Sequence, residues 1–102
     1  MGIEVKAEFI GKATIRVWSY VYDNDDALVD PTNSIEVTIK DKNGTIAVDE
    51  QAMTKSDTGI YTYDYNTTTS TTKGWYNVEV VVIDGTEAGA KTSVGTCAFK
   101  IK

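Results

Sequence analysis

Chemistry in this chain has few residues to run on. Its 102 residues include fifteen carboxylates, a single cysteine and no histidine. Without an imidazole there is no Ser-His-Asp relay, no Cys-His pair and no histidine metal ligand. Cys97 alone forms neither an internal disulfide nor a cysteine-rich zinc site. Acid–base work is left to Asp and Glu acting in pairs. No spacing in the chain gathers two of them into a cleft, and a small filled sandwich leaves little room for one. The expectation is a protein that is not an enzyme and carries no cofactor.

The densest carboxylate tract is Asp23, Asp25, Asp26 and Asp30. Ca²⁺ takes about six to eight oxygens, and such a loop supplies some of them. The helix-loop-helix calcium pattern fails, because its fifth and sixth positions fall on Ala27 and Leu28, where the sixth needs Gly. The tract reads instead as a turn, since short polar side chains bond their own backbone. No metal site is expected. Cys97 shares parity with Phe99 and Ile101 and reads as an inert core thiol. Asn43-Gly44-Thr45 and Asn66-Thr67-Thr68 match the glycosylation sequon, and chance explains both where no secretion signal is seen.

The net charge of −5 argues against nucleic acid, which needs a basic footprint. No apolar run approaches the ~20 residues that span a bilayer, so no membrane insertion is expected. The opening Met1 to Glu8 alternates apolar and charged residues and is not read as a signal peptide. The compartment is not fixed by these features.

Binding is the chemistry that remains, and aromatic side chains carry it best. Trp18, Tyr20 and Tyr22 share one parity of a strand-like segment, opposite Ile15, Val17 and Val21. If the aliphatic set faces a core, the three aromatics form a ridge on the outer wall. The ridge suits a protein partner or self-association. Cover by a loop or by the first segment, or an inverted parity, is the competing reading. Trp75, Val81 and Ile83 share the outer parity of a later segment. They form either a second contact face or a wall covered by residues 86–91.

The elements that must position these residues follow from composition. There are 11 Val, 9 Ile and 15 Thr against one Leu. Stiff branched side chains suit pleated strands, and no stretch keeps a helical period. Seven segments alternate: residues 3–10, 13–23, 34–40, 45–53, 59–66, 75–83 and 92–101. The fourth is less regular. Asp41-Lys42-Asn43-Gly44 predicts a hairpin. Pro31, the only proline, falls between strands. Residues 67–72 and 84–90 read as connections. Residues 1–102 are one domain, with 41% hydrophobic and 25% charged residues. The first segment, amphipathic and near the terminus, is a candidate for edge exchange.

Two phrases go further. Ser56-Asp57-Thr58-Gly59-Ile60-Tyr61-Thr62-Tyr63 has the pattern D-x-G-x-Y-x-Y, and Gly74-Trp75-Tyr76-Asn77-Val78-Glu79-Val80 has the pattern G-x-Y-x-V-x-V. With Ile15 to Asp23 and Phe99-Lys100-Ile101, the chain over roughly 13–101 resembles bacterial immunoglobulin-like and fibronectin-III-like domains. The resemblance implies an all-β, seven-stranded immunoglobulin-like Greek-key sandwich of two antiparallel sheets. It implies a structural or interaction module of a microbial surface protein or a phage particle. In that fold a tyrosine hydroxyl braces a strand corner, a part open to Tyr61 or Tyr76. The alternative function is a carbohydrate-binding module that stacks sugar rings on Trp18, Tyr20 and Tyr22.

Overall fold

Alternation alone forces the first step of folding. A strand that is apolar on one side must bury that side against another layer. A computed structural model describes residues 2–68, 71–84 and 91–102. It holds eight strands and no helix among the described residues. The strands are β1 (Gly2–Phe9), β2 (Thr14–Tyr22), β3 (Ser34–Asp41), β4 (Ile46–Ala52), β5 (Thr54–Asp57), β6 (Ile60–Asn66), β7 (Gly74–Asp84) and β8 (Lys91–Ile101). They form two four-stranded antiparallel sheets, ordered β1-β2-β6-β5 and β4-β3-β7-β8.

The core is drawn from every second residue of both sheets. Ile15, Val17 and Val21 from the first sheet meet Ile35, Val37, Ile39, Tyr76, Val78, Val80 and Val82 from the second. Tyr61 and Phe99 are buried with them, and Tyr63, Tyr65, Cys97 and Ile101 pack at the margin. An aromatic trio ties the sheets together at one end. Tyr76 stacks on Phe99 at 5.2 Å, and Tyr65 reaches across to both at 6.1 and 6.4 Å. Such pairs add about 0.5–1.5 kcal/mol beyond their area burial.

Seven segments were expected and eight strands are found. The irregular fourth segment explains the difference. Val37 lies opposite Gln51 while Ile39 lies opposite Val48, so β4 carries an extra residue there. Glu50 takes a φ of +46° at this bulge. The chain then leaves the second sheet at buried Met53 and pairs with β6 as β5. Thr54-Lys55-Ser56-Asp57 has no apolar residue and is wholly exposed, so no hydrophobic period marks it. Phe9 also departs from its parity-mates. Ile3, Val5 and Ala7 pack on the core, whereas Phe9 at the end of β1 is 49% exposed.

The turns follow their side-chain chemistry. Gly44 adopts a φ of +83° in the β3–β4 hairpin, where Asp41 Oδ1 accepts the amides of Asn43 and Thr45 at 2.8 and 2.9 Å. On the other side of the sandwich edge, β1 lies against β8. A Cβ on Gly95 would stand 2.7 Å from Val5 Cγ2, so only Gly admits β1 at this distance.

Among the described residues Ser19 is the one buried polar side chain of the core. Its hydroxyl has no hydrogen-bond partner among the described residues, and it sits in register with Val5 and Tyr61. A buried hydroxyl left unpaired costs about 1–3 kcal/mol. Ser19→Ala is therefore expected to raise the Tm by several degrees, at about 4–8 °C per kcal/mol for a domain of this size. Thermal unfolding followed by circular dichroism checks this; a lower Tm would mean that the hydroxyl holds a buried water.

Candidate functional site

The outer wall of the first sheet is set by the register. With Ile15, Val17 and Val21 fully buried, Trp18, Tyr20 and Tyr22 point outward from β2. All three are half-buried rather than bare. Lys6 from β1 holds its ammonium 5.2 Å from the Trp18 ring centroid, and Arg16, two residues back on the same strand, holds its guanidinium at 5.9 Å. Tyr20 lies between Glu4 and Ile60, and Tyr22 bridges to Leu28. Below Trp18, Arg16 forks onto Asp64 of β6 at 2.7 and 3.1 Å. This bond is the chief cause that lowers the Asp64 pKa and raises that of Arg16. The wall is thus an aromatic row framed by charges of both signs.

Trp75 stands elsewhere. It lies on the outer wall of the second sheet, is 56% exposed, and has the Lys100 ammonium 6.0 Å from its centroid. The four aromatic candidates therefore occupy two opposite walls, three on one and one on the other. Val81 and Ile83, on the wall of Trp75, are half-buried between Glu36 and Val94 and between Ser34 and Thr92. The suggested cover by residues 86–91 falls on 86–90, which lie outside the described residues.

The acidic tract behaves as a turn. Asp23 Oδ1 accepts the amides of Asp25 and Ala27 at 2.8 and 3.1 Å, and Asp26 adopts a φ of +62°. Among the described residues no group of three or more His, Cys, Asp or Glu is placed to hold a metal ion. Asp30 has a different task. Its carboxylate accepts the Gly59 amide at 2.8 Å, the Tyr61 hydroxyl at 3.2 Å and the Lys55 ammonium at 2.6 Å. These bonds, the one to Lys55 first, hold Asp30 below its ordinary pKa of 3.8. Cys97 is half-buried beside the core, and burial pushes its thiol pKa up. That favours the inert thiol over a nucleophile.

The D-x-G-x-Y phrase is thereby explained in mechanical terms. Gly59 has a φ of +72°, and its carbonyl accepts the Val21 amide at 2.8 Å. A Cβ there would lie 2.7 Å from the Val29 nitrogen and 3.0 Å from the Val21 oxygen. Tyr61 braces the same corner through Asp30. Tyr76 braces the other end, donating its hydroxyl to the Thr72 carbonyl at 2.6 Å. Sequence spacing misses the bonds that Asp30 makes and the Arg16–Asp64 pair, because each partner is supplied by a distant strand or loop. No family model, curated protein or solved structure matches this chain.

Two outcomes follow. Gly59→Ala forces a left-handed side chain against backbone atoms and is expected to cost at least about 2 kcal/mol, measured by urea denaturation. The Asp30 pKa is depressed on folding, so its stabilisation is complete above the unfolded value of about 3.9 and is lost as pH falls through the folded value. Asp30→Asn should lower the Tm at neutral pH, and that difference should shrink as the pH falls below the unfolded value and Asp30 takes up its proton. A gap that does not shrink in acid would assign Asp30 a role other than its charge.

Proposed function

We propose that this chain is a non-enzymatic structural and interaction module built as an immunoglobulin-like sandwich. Its contact surface is the aromatic row Trp18, Tyr20 and Tyr22. The fold part of this reading draws on strand order. One sheet is β1-β2-β6-β5 and the other β4-β3-β7-β8. Immunoglobulin sandwiches connect their strands in this Greek-key manner, with an extra strand beside the third. The Tyr76 hydroxyl bonds the backbone four residues upstream, near the start of β7. That is the arrangement of a tyrosine corner in such folds. No disulfide joins the two sheets, for Cys97 has no second cysteine to bridge to.

The function part rests on a single observation: three consecutive outward positions of β2 are aromatic. Outward positions on a solvated strand are ordinarily polar, and aromatic side chains concentrate at contact hot spots. The flanking Glu4, Lys6, Arg16 and Asp64 supply a polar rim of mixed sign. A passive framework of this kind suits a microbial surface protein or a phage particle, the settings in which the resembling domains recur. Stacking of sugars is the weaker reading, because Lys6 and Arg16 already approach the Trp18 ring.

The test is Trp18→Ala in about 1 M salt, where charge contacts are screened and apolar ones persist. The wild-type chain is expected to sediment above the monomer mass, and the variant as a monomer. Stability should fall by no more than about 1–2 kcal/mol, the worth of the lost cation–π contacts. An unchanged assembly state would overturn the contact wall, and binding on a glycan array that Trp18→Ala abolishes would put the sugar reading in its place.

A further inference from the structure

The charges of this chain are sorted by end rather than spread evenly. At one end lie the β1–β2 turn, the β3–β4 hairpin, the β6–β7 connection and the last residues of β8. There Lys12, Lys73, Lys100 and Lys102 line one cleft with Thr67, Thr68 and Thr71. The Lys42 side chain comes within 3.0 Å of where a Gly74 Cβ would stand, which places a fifth ammonium at the same end. Among the described residues none of these five lysines is within ion-pair distance of a carboxylate. Three acids lie nearby: Asp41, whose carboxylate caps the hairpin, and Glu8 and Asp64, both in register with Arg16.

The opposite end is acidic. It gathers Asp23, Asp25, Asp26 and Asp30 from the β2–β3 connection, Asp57 from the end of β5 and Asp84 from the end of β7. Thr32 donates to Asp84, Asp30 holds Gly59, and the Val29 and Val21 backbones meet Gly59, so these segments are one surface. Lys55 is taken by Asp30, and Lys91 stands in register with Asp84.

Apolar exposure follows the same division. Among the described residues, four of the six large hydrophobic residues that are exposed, Phe9, Ile10, Ile46 and Trp75, lie at or beside the lysine-rich end. Leu28 is the exposed one at the acidic end. Uncompensated lysines around exposed apolar side chains make a contact surface, and the carboxylates that would complete it are on the far side of the same molecule.

We propose that the lysine-rich end of one copy docks on the aspartate-rich end of a second copy, so that chains associate head to tail. The contact is heterologous and does not close, so it extends into rows along the 43 Å axis of the domain. It is weak. The shorter dimensions of 25 and 17 Å bound an end face at about half the ~800 Å² per partner of a standard interface. Two acidic ends repel each other, as do two lysine-rich ends, so the head-to-tail orientation is selected by charge. A basic, partly apolar tip also suits an anionic bilayer. The second copy is favoured because its complement is present in this chain.

Sedimentation of the full chain tests this. From about 0.01 M to about 1 M salt the Debye length shortens from about 30 Å to about 3 Å. The concentration-dependent rise in mass that the end contact produces is expected at the low value and lost at the high one. This is the reverse of the aromatic wall, so Trp18→Ala should leave the salt-sensitive part intact and the two readings fail separately. Lys12→Glu with Lys73→Glu should abolish the low-salt rise. So should Asp25→Lys with Asp26→Asn, a pair that keeps a tolerant residue at the left-handed position 26. Mixing the two variants should restore it, since each then offers the sign the other needs. Failure of the mixture to associate, while both variants melt like the parent, would overturn the proposal. So would a wild-type chain that stays monomeric at low salt, or one that instead binds vesicles containing phosphatidylserine.

Discussion

Side chains of a strand alternate, and in this protein one half of the alternation is fully committed. Ile15, Val17 and Val21 in one sheet, and Val37, Ile39, Val80 and Val82 in the other, have no exposure at all. Burying each such side chain is worth about 1.5–3 kcal/mol, so together they outweigh any single polar contact on the surface. A slip of one residue in β2 would drive Trp18, Tyr20 and Tyr22 into the core and put Val17 and Val21 in water. The register is therefore not adjustable. The aromatic wall is a consequence of the core, and so is the row Glu4, Lys6, Glu8 that runs beside it in register with Tyr20, Trp18 and Arg16.

What was legible in the sequence is what this constraint writes there. The β2, β3 and β7 patterns read out their own inward faces, because β-branched residues recur at every second position, broken only at Ser19 in β2 and by Tyr76, Val81 and Ile83 in β7. The Asn43-Gly44 turn was equally plain, since the backbone there needs a positive φ. What was not legible depends on pairing. β5 is four polar residues whose strand geometry comes entirely from β6. The β4 bulge shifts parity between Val48 and Met53, and no local signal marks where the extra residue sits. Trp75 could be assigned a parity but not a wall, so its separation from the Trp18 row needed the strand order.

The polar corners show the same dependence. Asp30 stands in a tract that suggested cation binding, yet its carboxylate is engaged by Lys55, Gly59 and Tyr61 from segments about 25–30 residues away. A carboxylate with three donors converging on it is already satisfied, and it fixes the β2–β3 connection against the β5–β6 turn. Tyr76 does the equivalent at the other end through a local bond to Thr72. Each end of the sandwich is thus pinned by a tyrosine hydroxyl, one through a charge and one through the backbone. Only the first is sensitive to acid, because only its acceptor titrates in that range.

Pinned ends have a bearing on association. An interface built on mobile loops must first order them, at about 0.5–1.5 kcal/mol for each immobilised side chain. At the acidic end Asp23 caps its own turn and Asp30 is triply bonded, so carboxylate positions are set before any partner arrives. At the basic end Asp41 orders the hairpin that carries Lys42. The walls and the ends then divide the work by physics. In the proposed contacts the wall offers desolvation, which persists in salt, and the ends offer charge, which salt erases. A module with both contacts can extend along one axis and pack sideways along another, with the balance between them set by the ionic strength of its surroundings.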